Sequence, residues 1–275
     1  MHTTMATKRT PQGTIRTGMG GWTFAPWRGV FYPEGLVQKR ELEYASRQVT
    51  TIEINGTYYR APAPAIYRQW AATVPDGFVF SVKAPRHIMQ TKLLATTGER
   101  VGQFLEGAAA LGDRLGPVLW QCLPTRPFDP DDMAAFLDLL PGEAGGVPLR
   151  HAVEVRHKSF LDPRWLDLAR ARGVATVYTD SPDYPNLADL TGPFAYARLM
   201  RSQANHTAGY PAKGLEDWAA RAAAWAGGGD PVDLPHVGKP VMKGPPKEVF
   251  VYFISAAKER NPAAAMALAR AVDTA

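Results

Sequence analysis

Runs rich in β-branched and aromatic residues alternate with helical patterns along nearly the whole chain. This alternation constrains the fold more than any other feature. Strands are expected near Ile15–Gly20, Val49–Asn55, Phe78–Lys83, Val118–Cys122, Ala152–Arg156, Val174–Thr179, Phe194–Leu199 and Val249–Ile254. Helical spacing fits Leu36–Gln48, Pro64–Thr73, Glu99–Leu111, Asp131–Leu139, Pro163–Arg172, Leu215–Ala226 and Pro262–Val272. Pro33-Glu34 and Asp129-Pro130 suit helix starts, because proline in a first turn has no helical hydrogen bond to lose. Strands and helices interleaved in this way predict an α/β fold, a single (β/α)8 TIM-type barrel, and 275 residues is a normal length for one. The sixth crossover is expected to be irregular, since Ser181–Gly192 is broken by prolines and has no helical period. Residues 1–13 are expected to form a flexible polar N-terminal tail. Residues 14–275 are expected to form the barrel, with a Gly-, Pro- and Lys-rich loop at about 227–247.

Hydrophobic residues make up 45% of the chain and charged residues 21%, enough for an ordinary core. The lone cysteine, Cys122, excludes an internal disulfide framework and a cysteine-rich zinc site, and its apolar surroundings suit a small buried side chain. No apolar run reaches the roughly 20 residues of a membrane span, and the N-terminus lacks a signal-peptide core, so a cytoplasmic location is expected with no membrane partner. A net charge of +5 favours anionic partners, an anionic small molecule first and nucleic acid as the alternative.

Charged residues inside the expected strands locate the candidate site. Glu53 and Asn55 stand two apart and share one face of a strand, as do Glu154 and Arg156. A carboxylate in an apolar strand is costly unless a partner or a chemical role keeps it there. At the C-terminal mouth of a barrel, strand parity gathers Glu53, Asn55, Lys83, Gln121, Glu154, Arg156, Asp180, Arg198 and Tyr252. Trp22, Trp27, Tyr32, Tyr58 and Tyr59, from the first two loops on that face, are expected to wall the pocket; an aromatic wall over a charged floor suits a planar base or a sugar ring. Glu53 and Glu154 are the candidate acid and base, with Lys83 tuning a carboxylate or binding phosphate. The plainer reading is that Glu154–Arg156 and Glu53–Lys83 are buried ion pairs that hold the barrel interior. No metal or cofactor is assigned. A divalent metal on Glu53, Glu154, Asp180 and His157 is the weaker alternative, because Lys83, Arg156 and Arg198 already neutralise the carboxylates. Gly18-Met19-Gly20-Gly21 lacks the spacing of a phosphate-binding fingerprint and reads as a close turn.

Several motifs also resemble one family. Gly20-Gly21-Trp22 with Trp27, Phe31-Tyr32-Pro33, Thr51-Ile52-Glu53-Ile54-Asn55, Phe80-Ser81-Val82-Lys83, Gly116-Pro117-Val118-Leu119-Trp120-Gln121, Ala152-Val153-Glu154-Val155-Arg156-His157 and Phe194-Ala195-Tyr196-Ala197-Arg198-Leu199 follow the order found in the domain of unknown function 72 family, the YecE-like proteins. The resemblance spans about residues 15–272 and implies a TIM-type barrel without implying a reaction. The chain departs from the family pattern in three places. Met200-Arg201 stands where the family has His-Gly, Arg86-His87-Ile88-Met89 where it has a Thr-His pair, and Tyr252-Phe253-Ile254-Ser255 lacks its two asparagines. The expected function is hydrolase-like acid–base chemistry on an anionic, phosphate-bearing small molecule or nucleotide. A nucleic-acid-binding protein or nuclease, and a non-catalytic ligand-binding barrel, are the alternatives.

Overall fold

In a computed structural model, which describes residues 13–274, eight parallel strands close into a barrel. They are β1 (Ile15–Gly20), β2 (Thr51–Ile54), β3 (Val79–Lys83), β4 (Leu115–Gln121), β5 (Arg150–Glu154), β6 (Ala175–Thr179), β7 (Phe194–Leu199) and β8 (Glu248–Phe253). Each pairs with its neighbours in sequence, and β1 closes on β8 through Ile15–Val249 to Met19–Phe253. The expected tail, apart from Gly13, lies outside the described residues.

The α-helices of five residues or more are α1 (Glu41–Ala45), α2 (Pro64–Thr73), α3 (Gly98–Ala108), α4 (Pro130–Asp138), α5 (Pro163–Ala171), α6 (Ala212–Ala226) and α7 (Asn261–Thr274). Asp129 and Asp162 cap α4 and α5 by accepting backbone N–H bonds from the first turn, ahead of a proline that fits there. α3 shows why such segments dock. Val101, Phe104, Leu105 and Ala108 recur at helical spacing and are buried, and full burial of each large one contributes about 1.5–3 kcal/mol.

Two expectations need correction. Pro33-Glu34 starts no helix, and the segment Leu36–Gln48 condenses to a short 3₁₀ turn and five-residue α1. The chain before it is held by ring packing, with Phe31 and Tyr32 at 5.5 and 5.7 Å from Tyr44, and by Arg28 binding buried Glu41 at 2.8 Å. A two-residue hairpin, Glu143–Ala144 with Val147–Pro148, was not legible in the sequence; Gly145 and Gly146 turn it at positive φ.

The sixth crossover, between β6 and β7, has no helix. The Gly/Pro-rich loop 227–247 lies against it. Asp230 accepts N–H bonds from Leu190 and Val241 at 2.9 and 2.8 Å, Asp189 from Val237 and Gly238 at 2.9 and 2.8 Å, and Ala188 donates to the Pro235 carbonyl at 2.9 Å. Buried carboxylates thus satisfy backbone groups that a helix would have satisfied internally.

The barrel interior is layered. At the N-terminal end Glu248 of β8 is bracketed by Arg16 of β1 and Arg150 of β5, all three side chains 19–29% exposed. Above them lies an aromatic layer, with Phe250 stacked on Tyr252 and Tyr252 5.0 Å from Tyr196. Thr51 and Ser81 satisfy the two phenols, each at 2.8 Å. β1 turns only Gly18 and Gly20 inward above Arg16. A Cβ at Gly18 would stand 2.0 Å from the Thr51 carbonyl, so the strands close here only without a side chain.

Candidate active site

Above the aromatic layer Glu53 of β2, Glu154 of β5 and Arg198 of β7 meet, all essentially excluded from water. Arg198 grips Glu53 in a two-pronged contact, Nε to Oε2 at 3.0 Å and Nη2 to Oε1 at 2.9 Å, and its remaining Nη1 binds Glu154. Asn55 Nδ2 donates to Glu53 Oε1 at 2.9 Å and the Tyr196 hydroxyl to Oε2 at 2.6 Å. Glu154 accepts from Gln121 at 3.0 Å and from Arg156 Nε at 2.5 Å. Burial pushes the Glu154 carboxyl up, but Arg198 and Arg156 outweigh it and hold the pKa down to about 2. The expected convergence of the two carboxylates is present, with a guanidinium between them. The expected Glu154–Arg156 pair forms. A Glu53–Lys83 pair does not.

Over this network opens a cavity of about 500 Å³. Its lining includes Lys83, Arg156, Arg198 and Lys258 with Asn55, Gln121, Tyr58, Tyr59, Ser255 and Asn261, and no carboxylate. Lys83 projects from the end of β3, almost buried, with its ammonium 4.2 Å from the centre of the Tyr58 ring and no ion pair among the described residues. Burial, and then the Arg198 charge, lower its pKa from 10.5 to about 8 against the pull of Glu53 and Glu154. Arg156 uses Nε on Glu154 and stacks its guanidinium 4.2 Å from the Tyr184 ring centre. Lys258 lies 4.4 Å from the Phe24 ring centre, and burial lowers its pKa. Four cations face two carboxylates in this assembly, leaving an excess of positive charge with Lys83 protonated. The chain leaves β8 through Ser255 and Ala256 at φ 59° and 49°, a conformation that costs non-glycine residues about 1–3 kcal/mol and clusters at functional sites.

Other expected residues lie elsewhere. Trp27 is buried among Phe24, Phe31 and Tyr32, and its indole N–H donates to the Lys258 carbonyl at 3.0 Å, so it anchors the loop and does not wall the cavity. Tyr32 is equally buried, its hydroxyl spent on the Trp22 carbonyl. Tyr252 belongs to the aromatic layer beneath the site. Asp180 turns to the Met200 N–H and the Tyr210 hydroxyl, and burial raises its pKa to about 6. Trp22 lines an adjoining groove with Trp70, 5.1 Å away. The metal alternative loses its ligand set with Asp180 and with His157, which binds Ser159 at 2.7 Å. Among the described residues no cluster of His, Cys, Asp or Glu is arranged to hold a metal ion. Cys122 is buried, its thiol pushed up to about 12 by burial. Lys258, Ser255 and Asn261 were missed; their signal was position just beyond the last strand on the active face. Tyr196 was missed too, being an inward residue two before Arg198. Of the family departures, Met89 is buried in the core and Met200 packs on the inner barrel core, while Ser255 reaches the cavity.

The sequence profile of a family described as protein of unknown function DUF72 matches residues 16–275. The chain belongs to that family. A DUF72 family protein from Thermotoga maritima MSB8 is similar in structure at 20% identity, over 94% of this chain and 99% of that one, with TM-score 0.72. Another, from Enterococcus faecalis V583, is 19% identical over 95% and 98%, with TM-score 0.69. These likenesses establish the barrel. No curated protein matches the sequence. Among the described residues no helix is long and apolar enough to cross a membrane.

Proposed function

We propose that the barrel is an enzyme with hydrolase-like acid–base chemistry, acting on an anionic, phosphate-bearing small molecule held in the 500 Å³ cavity. The observation that carries this reading is a cavity lined by four cations and no carboxylate, with two of them, Lys83 and Lys258, in no ion pair among the described residues and the Lys83 pKa lowered to about 8. Lys258 and Arg156 grip the anion, since charge-assisted hydrogen bonds to phosphate are the strong ones. Lys83 transfers the proton. As ammonium it protonates a leaving oxygen, and as amine it accepts a proton from water. Glu53 and Glu154 have every oxygen engaged, so their role is to hold Arg198 and Arg156 in place, and proton transfer falls to Lys83 in place of a carboxylate pair.

The test is phosphate release from a panel of phosphate mono- and diesters by the wild-type chain and by Lys83→Met. Turnover is expected for at least one ester, with loss in the variant and an unchanged circular dichroism spectrum. Full turnover in the variant removes Lys83 from the chemistry. Tight retention of an ester with no turnover anywhere in the panel assigns the barrel to ligand binding. The basic stretch Lys239–Lys247 offers no link to nucleic acid at this site, because none of its lysines lines the cavity.

A further inference from the structure

The main cavity does not end at its cations. A groove of about 320 Å³ adjoins it, and Gly20, Asn55, Tyr59 and Lys258 line both. The two compartments differ in chemistry. The cavity holds Lys83, Arg156 and Arg198. The groove presents Trp22, Trp70 and Ile54, and its only charged group is the shared Lys258. Gly21 and Gly56 leave the groove unobstructed, since a Cβ at either would meet nothing within 4 Å. Tyr59 stands at the junction with 73% of its surface exposed, set edge-on to Tyr58 at 5.4 Å. A large ring left that open beside two partly buried indoles is surface waiting to be covered, and aromatic side chains of this kind cover flat partners best.

We propose that the substrate is bipartite, a phosphate carried near a planar aromatic ring, with the phosphate among the cations and the ring in the groove against Trp22 and Tyr59. This rests on the anion-binding reading of the cavity. Lys258, common to both compartments, sits where the two halves of such a molecule join. A saturated sugar would present hydroxyls to a groove whose walls are chiefly rings and hydrocarbon, and it would leave them poorly paired. A nucleoside monophosphate and a simple aryl phosphate share the required chemistry and differ in the span between ring and phosphate.

Titration calorimetry with AMP, phenyl phosphate, ribose 5-phosphate, adenosine and inorganic phosphate tests this. AMP or phenyl phosphate is expected to bind about tenfold more tightly than ribose 5-phosphate, the lower end of what stacking on an aromatic side chain contributes. The tighter of the two identifies the span. Tyr59→Ala, at an exposed position that the core does not need, is expected to weaken the ring-bearing ligand about fivefold and ribose 5-phosphate less than about twofold. As a second measurement, AMP should quench indole emission, and Trp22→Phe should remove that quenching. Equal binding of AMP, phenyl phosphate and ribose 5-phosphate overturns the aromatic compartment and leaves the anion cavity standing. Adenosine binding as well as AMP overturns the coupling of ring to phosphate. Failure of all five ligands removes the anion reading and this inference together.

Discussion

The barrel contains two charge clusters, one at each mouth, built from the same residue types. At the lower mouth one carboxylate, Glu248, sits between two arginines, Arg16 and Arg150, each about a fifth to a third exposed. At the upper mouth one arginine, Arg198, sits between two carboxylates with water excluded. The lower cluster touches solvent on its own side and aromatic rings above, with Arg150 5.2 Å from the Phe250 ring centre. It caps the interior. The upper cluster also carries Lys83, for which no counterion remains because Arg198 has taken both carboxylates. Burial makes the difference. The same pairing that is weak in water becomes a rigid frame when dry, and a charge left over from such a frame is available for chemistry.

That contrast can be broken most directly at Arg198. Arg198→Met leaves two carboxylates buried without their shared partner and is expected to cost about 3–5 kcal/mol in urea unfolding. A loss below about 1 kcal/mol would make the upper cluster no different from the lower one. The next largest effect concerns Lys83. Its ammonium loses a proton near pH 8 in the folded chain and near 10.5 in the unfolded one, so the unfolded chain binds more protons between those values. Stability contributed by this group therefore rises as pH climbs from about 8 to 10.5, and Lys83→Met should flatten that limb of the stability curve. An unchanged limb would show that Lys83 has an ionic partner. Glu154 gives the acid counterpart. Its pKa is held near 2 against an ordinary 4.5, so its contribution is complete above pH 4.5 and disappears as pH falls towards 2. Glu154→Gln should lose that particular acid sensitivity in an acid titration followed by circular dichroism. The smallest effect belongs below. Glu248→Gln is expected to cost about 1 kcal/mol or less, with the wild-type advantage shrinking in 1 M salt as screening reaches the open mouth.

The strands were legible because an inner barrel strand alternates faces, and residues such as Ile52, Glu53 and Ile54 write that alternation directly. β4 begins at Leu115, earlier than its apolar run suggests, because Gly116 and Pro117 resemble a turn although Pro117 pairs with Arg150. The site's membership was partly legible by parity, which placed Glu53, Lys83, Glu154 and Arg198 on one rim. Its wiring was not. Whether Glu53 meets Lys83 or Arg198 depends on barrel closure between residues 145 positions apart in the chain, which no local pattern encodes. Trp27 and Tyr32 failed for a related reason. An aromatic residue in a loop looks the same whether it faces a ligand or locks the loop to the barrel. The missing sixth helix could be read from prolines, but the aspartates that fasten loop 227–247 in its place could not.

That fastening also orders events during synthesis. The outer side of β6 is sheltered by α6, where Tyr178 meets Trp218 and Trp225, and the crossover beside it is tied to loop 227–247 through Asp230, through Asp189 with Val237 and Gly238, and through Ala188 with Pro235. A nascent chain that has emerged as far as residue 200 carries seven finished strands and a bare seam. The seam stays open to chaperones or to aggregation until some forty more residues leave the ribosome.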